Sequence, residues 1–161
     1  MNGLPADAAK AAFLDCCGSQ KWAERMAAER PFKMLEDLYR SADVIWSSST
    51  PTDWLEAFAA HPQIGSTAAN GTRRASGWSA DEQSTAGKAS SIVKKKLAKA
   101  NRLYEEKFGF IFIVCASGLS AEEMLAMCEE RLGNPAAKEI RIAAEEQQKI
   151  TELRLNKSLE K

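Results

Sequence analysis

Apolar residues recur along most of this chain at the three- and four-residue spacing that places them on one face of an α-helix. The pattern is clear over Met34–Trp46, over Ile92–Tyr104 and from Pro135 to about Lys157. In the second of these stretches we expect one helix face to carry Ile92, Val93, Leu97, Ala100, Leu103 and Tyr104. Between Ala6 and Arg30 the same spacing is interrupted near Gly18-Ser19, so this stretch predicts one or two short helices. The alternation of apolar and polar positions therefore predicts an all-α fold.

Capping patterns mark where several of these helices begin. A Ser or Thr at the N-cap accepts a hydrogen bond from a free backbone N–H, and a Glu three residues later closes the capping box. Proline is favoured at the first helical position. The patterns are Thr50-Pro51, Ser79 with Glu82, and Ser120 with Glu123. The first of these helices is expected to end just before His61, and the second to bend near Gly87.

Phe108–Gly118 is the most apolar stretch of the chain. Its composition favours a β-strand, but no other segment has the composition of a pairing partner. Because an unpaired strand leaves its backbone N–H and C=O groups without a ladder, we interpret the stretch as a buried helix or an extended core segment.

Composition narrows the class of protein. The chain has 161 residues, with neither an internal repeat nor a long linker, so we expect one domain over residues 1–161. Lys plus Arg equals Asp plus Glu at 22 each, and the basic cluster Lys94–Lys96 with Lys99 is expected on a solvent-exposed helix face. This balance argues against nucleic acid and anionic membranes as partners, and zero net charge favours self-association.

The four cysteines form no Cys-x-x-Cys pair, and with one histidine there is no metal-site spacing. We therefore predict reduced thiols, buried in the case of Cys16-Cys17, and neither a metal nor a cofactor. The N-terminal residues lack the pattern of a signal peptide, and no apolar run has membrane-spanning length, so a cytoplasmic location is expected.

His61 is the only histidine, and thus the only side chain able to exchange protons near neutral pH without a large pKa shift. Pro62 stiffens the backbone and biases His61 toward an extended conformation just past a helix end. An acid–base role fits this placement, and so does a structural role in which the imidazole interacts with the last helix carbonyls.

Two further candidates are charged. Glu82 falls in the first turn of its predicted helix, where the helix dipole favours a carboxylate, and Ser79 and Gln83 lie beside it. The alternative is that Glu82 only completes the cap begun by Ser79. Arg154 lies among apolar residues of the last helix, where it either binds a carboxylate or extends its charge to solvent.

Four phrases occur in order along the chain. They are His61-Pro62-Gln63-Ile64-Gly65, then Ser79-Ala80-Asp81-Glu82-Gln83 followed by Ala86-Gly87, then Asn101-Arg102-Leu103-Tyr104 leading into Lys107-Phe108-Gly109-Phe110-Ile111-Phe112, and finally Lys149-Ile150-Thr151-Glu152-Leu153-Arg154-Leu155. From about Phe13 to Leu155 the chain resembles the family of decarboxylases that act on 2-oxo-4-hydroxy-4-carboxy-5-ureidoimidazoline, abbreviated OHCU.

The resemblance implies an all-helical, cofactor-independent homodimer that acts late in purine breakdown. In that pathway urate oxidation yields 5-hydroxyisourate, a hydrolase converts it to OHCU, and the decarboxylase produces (S)-allantoin. The resemblance thus implies a small-molecule substrate, OHCU, and 5-hydroxyisourate hydrolase as a functional neighbour.

The resemblance also implies roles for particular residues. His61 matches the catalytic histidine, and as general acid it would deliver the proton that sets the S configuration. Glu82 would bind the substrate hydroxyl and orient His61, Arg154 would pair with a substrate anion or ring oxygen, and Gln83 would bind the ureido group. The other implied substrate-contacting residues are Pro62, Ser79, Phe112, Ile113, Val114, Cys115 and Ala116.

Two alternatives stay open. One is a helical interaction module that keeps the scaffold without the activity, for which pocket polar groups would be missing. The other is a lyase or hydrolase that acts on a related small ring, in which case the altered specificity would reside in the polar stretch Gly65–Gly77.

Overall fold

Helices make up most of the chain in the structure, a computed structural model that describes residues 1–64, 81–82 and 89–160. Within these ranges there is no β-strand, and Asp81 and Glu82 are helical. The helices whose bounds are described are α1 (Ala6–Cys17), α2 (Gln20–Ala28), α3 (Leu35–Ser47), α4 (Pro51–Ala59), α5 (Ser91–Phe108), α6 (Ala121–Arg131) and α7 (Ala136–Leu159). The predicted all-α fold is confirmed.

Helix boundaries follow the local sequence. α1 and α2 are divided at Gly18, which has a left-handed φ of 87°, and at the N-cap Ser19. The capping boxes at Thr50 and Ser120 are both present. The predicted box of Ser79 with Glu82, the polar stretch Gly65–Gly77 and the bend near Gly87 lie outside the described residues.

One hydrophobic core joins α1–α4 to the long helix α7. Two buried tryptophans anchor the junctions, since each indole N–H donates to a backbone carbonyl on a different helix. Trp22 of α2 donates to Ala42 of α3 at 3.2 Å, and Trp46 of α3 donates to Ala144 of α7 at 2.8 Å. Burying an aromatic ring with its polar atom satisfied favours one packing arrangement over others.

A second core forms where α5 and α6 pack with the apolar segment that follows α5. The buried face of α5 consists of Leu97, Ala100, Asn101 and Tyr104. The prediction that Ile92 and Leu103 share this face is wrong, since they are 66% and 43% exposed. These two residues are 11 positions apart, about three turns, so they lie together on the opposite side of the helix.

Residues 111–116 form an extended core segment, which is one of the two interpretations given above for the apolar stretch 108–118. In place of a β-ladder, side chains from two helices satisfy its backbone. Arg131 of α6 donates to the Ile113 carbonyl at 2.8 Å, and Glu146 of α7 accepts from the Cys115 N–H at 2.8 Å. A buried strand-like segment is therefore stable without a second strand.

None of the helices within the described ranges is both long and apolar enough to cross a membrane. Cys16, Cys17, Cys115 and Cys128 are free thiols, as predicted, and Cys16 and Cys17 are buried. Burial raises the pKa of the Cys17 thiol to about 12, so this thiol is neutral and unreactive at neutral pH.

Candidate active site

A pocket opens between the end of α4, the extended segment and α7. The empty space in it, counted out into open solvent, is about 350 Å³. Glu82 and His61 both line this pocket, and the other described residues of its wall are apolar. The described residues that line it are His61, Pro62, Ile64, Glu82, Phe112, Ile113, Val114, Ala116 and Ile150.

His61 is positioned by the tight turn that ends α4. Its backbone N–H donates to the Phe58 carbonyl at 3.1 Å, and its side chain is buried. The ring nitrogen Nε2 lies 2.7 Å from Oε1 of Gln147, a fully buried side chain of α7. The imidazole is thereby held by both its backbone and one ring nitrogen.

The surroundings of His61 disfavour a charged ring. Burial, followed by the positive charge of Arg154, lowers the pKa of His61 from 6.5 to about 3, although the hydrogen bond to Gln147 acts in the opposite direction. The imidazole is consequently neutral at neutral pH. A neutral imidazole has one nitrogen that donates and one that accepts, so it can take up a proton.

Glu82 and Arg154 form a buried, two-pronged ion pair. Nε of Arg154 lies 3.0 Å from Oε1 of Glu82, and Nη2 lies 3.0 Å from Oε2. Both side chains are less than 10% exposed, and the Lys157 ammonium is 4.0 Å from the same carboxylate. Arg154 therefore does not extend to solvent, and parallel N–H···O bonds fix the plane of the carboxylate at the pocket.

The expected contact by which Glu82 orients His61 is replaced in the structure. Both Glu82 oxygens bond to Arg154, whereas the hydrogen bond to the imidazole comes from Gln147. The physical reason is proximity on one helix face. Gln147 and Arg154 are seven residues apart, two turns of α7, so one stripe of the helix supports both acidic and basic groups of the site.

Four of the five predicted residues of the extended segment line the pocket, and Cys115 is the one that does not. Its backbone N–H is bound by Glu146, and burial raises the pKa of its thiol. The predicted residues Ser79 and Gln83 lie outside the described residues. Within the described ranges, no group of three His, Cys, Asp or Glu side chains is arranged to hold a metal ion.

Three residues at the site were absent from the sequence prediction. Ile64 and Ile150 add apolar wall, and Gln147 binds the catalytic candidate. A signal for Gln147 was available, because a polar residue at helical spacing from Ala143, Ile150 and Arg154 must be buried with them. Buried polar side chains require partners, which marks such a position for attention.

The sequence is similar to known proteins over most of its length. Residues 2–156 match the sequence model of OHCU decarboxylase. The uric acid degradation bifunctional protein TTL of Arabidopsis thaliana is 46% identical over 148 residues, 88% of this chain and 44% of that protein. The 2-oxo-4-hydroxy-4-carboxy-5-ureidoimidazoline decarboxylase of Amia calva is 49% identical over 61 residues, 36% of this chain and 35% of that protein. In these alignments the chain spans less than half of either curated relative.

A solved structure is similar over almost its whole length. The crystal structure of OHCU decarboxylase in the presence of (S)-allantoin matches with a TM-score of 0.82 and 42% sequence identity. The match covers 94% of this chain and 99% of that one.

Proposed function

Since this chain belongs to the OHCU decarboxylase family, we propose that it converts OHCU to (S)-allantoin with release of CO2. The observation that carries the proposal is that His61 and Glu82 line one pocket and that Arg154 binds the Glu82 carboxylate, although the three come from separate parts of the chain. A silent interaction module has no need to bury a polar set of this kind. The similarity to an OHCU decarboxylase crystallised with (S)-allantoin supports the same substrate class.

The reaction requires little beyond placement and proton transfer. When the bond to the carboxylate breaks, its electron pair forms a carbon–carbon double bond, and the neighbouring C=N of the imidazoline accepts the displaced pair. That nitrogen takes a proton from solvent. The resulting enol then loses its hydroxyl proton, and the carbon bearing the ureido group gains one. The substrate itself is the electron sink.

His61 is suited to both proton transfers after CO2 leaves. As a neutral imidazole it accepts the enol hydroxyl proton, and as the imidazolium so formed it delivers a proton to one face of the adjacent carbon. The second transfer is the general-acid step that sets the S configuration. The unusual depression of the His61 pKa favours rapid release of this proton.

The ion pair and the extended segment serve to hold the substrate. Glu82 accepts a hydrogen bond from the substrate hydroxyl before CO2 leaves, and Arg154 binds an anionic or ring oxygen. The ring contacts Pro62 and the four pocket-lining residues of the extended segment, Phe112, Ile113, Val114 and Ala116. In this proposal the Gln83 amide binds the ureido group, and Ser79 contacts the substrate as well.

Further parts of the proposal concern the setting of the enzyme. We propose a homodimer in the cytoplasm that receives OHCU from a 5-hydroxyisourate hydrolase. Zero net charge and exposed apolar side chains, including Met34, Val44 and Ile92, are compatible with self-association. Sedimentation equilibrium of the purified chain tests the dimer, since a monomer at micromolar concentration would contradict it.

The activity is tested by circular dichroism of freshly generated OHCU with and without the protein. We expect rapid growth of the (S)-allantoin signal, insensitive to EDTA. His61→Ala should lower kcat by at least about 10²-fold, because positioned proton transfer contributes ~10²–10⁴-fold. The control is Gln63→Ala, because Gln63 lies two residues after His61 and its side chain is exposed.

The outcomes separate clearly. Racemic product formed no faster than in buffer would refute the proposed substrate. A folded His61→Ala variant with wild-type rate and stereochemistry would instead retain the reaction and refute the role of His61.

A further inference from the structure

Gln147 is a fully buried polar side chain at the back of the pocket, and none of the roles above uses it. It projects from the middle of α7 between the end of α1 and the turn that carries His61. Both ends of its amide have hydrogen-bond partners. When both ends of a buried amide are hydrogen-bonded, the partners at one end fix which atom the amide presents at the other.

The partners determine which way the amide points. Nε2 of Gln147 lies 3.2 Å from the backbone carbonyl of Cys17, and a carbonyl can only accept a hydrogen bond. The Thr151 hydroxyl donates its hydrogen to the backbone carbonyl of Gln147 at 3.0 Å. The Thr151 oxygen can therefore accept a hydrogen bond from Nε2 of Gln147, which lies 3.2 Å away. The NH₂ group must therefore face Cys17 and Thr151, and Oε1 must face His61.

This orientation specifies the proton on the imidazole. An amide oxygen only accepts, so Nε2 of His61 has to donate across the 2.7 Å contact. A neutral imidazole carries one N–H, so with Nε2 protonated its Nδ1 is the nitrogen with a free lone pair. We propose that Gln147 is a positioning residue that holds His61 as the Nε2–H tautomer, so that Nδ1 is the atom that exchanges protons with the substrate.

An amide is suited to this position because it orients the ring without adding charge. A carboxylate in the same place would stabilise the imidazolium and hinder release of its proton to carbon, which the second transfer needs. The cationic group facing the ring from α7 is Arg154, whose charge is shared with Glu82. The catalytic part of this inference rests on the proposed function, whereas the tautomer does not.

The tautomer can be measured directly, because the chain contains one histidine and ¹⁵N-histidine labelling yields a single pair of ring signals. At a pH where the ring is neutral, we expect a protonated Nε2 and an unprotonated Nδ1 in the wild-type protein. In Gln147→Met, of similar shape but without the acceptor, we expect a mixture of tautomers. Gln148→Met is the matched control, since Gln148 bonds to Asp43 on another face of α7.

A purely structural role for Gln147 would not produce this pattern. Gln147→Glu retains an acceptor for Nε2 but loses the donor to Cys17, so the Nε2–H signal should persist even where stability falls. A wild-type ring protonated at Nδ1, or an unchanged tautomer in folded Gln147→Met, would overturn the inference. The wild-type measurement is decisive even if the Met variant does not fold.

Kinetics extend the test to catalysis. We expect Gln147→Met to lower kcat between about 10- and 100-fold, the range that corresponds to leaving one buried donor unpaired, with KM nearly unchanged. Gln148→Met should retain wild-type kcat. An inactive wild-type protein with the Nε2–H tautomer would refute the proposed function alone, and an active Gln147→Met would refute the catalytic part of this inference.

Discussion

His61 lies where its backbone, its ring and its charge are each controlled by a different neighbour. The turn after α4 directs the side chain toward the pocket, Gln147 binds Nε2, and burial beside Arg154 keeps the ring neutral. Control of this kind is needed because one misplaced proton on an imidazole exchanges its donor and acceptor atoms. The functional state of this residue therefore depends on residues distant in sequence.

Gly18 contributes to this placement through the close approach of two helix ends. A Cβ added at Gly18 would lie 2.7 Å from Cβ of Ala60, the residue before His61, and the residue also has a left-handed φ of 87°. The end of α1 can therefore pack against the end of α4 only when position 18 has no side chain. The local sequence marked Gly18 as a helix boundary, but this contact is a tertiary property.

We predict that Gly18→Ala lowers the free energy of unfolding by more than the left-handed backbone alone accounts for, about 1–2 kcal/mol. Urea denaturation measures the effect. Gly109→Ala is the matched control, because Gly109 has a φ of 78° and nothing within 4 Å of an added Cβ. Equal losses of unfolding free energy in the two variants would contradict the proposed contact.

At the scale of elements, the extended segment 111–116 depends on α6 and α7 for its conformation. Arg131 is central, since it donates to the Ile113 carbonyl, lies 4.7 Å from the centre of the Phe112 ring, and pairs with Glu139 at 2.6 Å. Glu139 is fully buried and also accepts from Tyr104 and Asn134. The pocket wall is thus supported by a buried ionic network.

We predict that Arg131→Met destabilises the protein by about 3–5 kcal/mol, because it leaves the Glu139 carboxylate buried without its cation. In the fraction that stays folded, KM should rise more than kcat falls, since the displaced segment contacts substrate without transferring protons. Thermal unfolding and steady-state kinetics measure the two effects. Arg141→Met, an exposed residue of α7, is the control, and comparable losses in both variants would contradict this account.

At the scale of the whole molecule, a buried neutral histidine makes global stability depend on pH. The pKa of His61 is 6.5 when exposed and about 3 in the folded protein. Between these values the unfolded chain binds more protons than the folded one, so acidification favours unfolding. The contribution of His61 to stability is complete above about pH 6.5 and is lost progressively as the pH falls toward 3.

We predict that from about pH 7.5 to about pH 5 the wild-type protein loses about 2 kcal/mol more unfolding free energy than His61→Gln, which lacks the titrating ring. Comparing the two proteins cancels the carboxylates that both contain. Urea denaturation at each pH provides the values. Parallel pH profiles would show that the folded ring titrates near its usual pKa.

Most of the fold could be predicted because its determinants are local. Apolar spacing located the helices, and the side-chain caps at Thr50 and Ser120 marked two of their starts, since a helix satisfies its backbone within one segment. The exposed positions Ile92 and Leu103 were assigned wrongly because apolar residues also occupy surface positions, and spacing alone does not say which face is covered.

The candidate site was predicted as a set of residues rather than as an arrangement. Residue type and family resemblance identify His61, Glu82 and Arg154. The sequence alone therefore determined which candidate residues the chain carries and that the chain is helical. That Arg154 pairs with Glu82 and Gln147 binds His61 was decided only by the tertiary structure. Hydrogen-bond partners 72 and 86 residues apart depend on how the helices pack, and no local pattern encodes that distance.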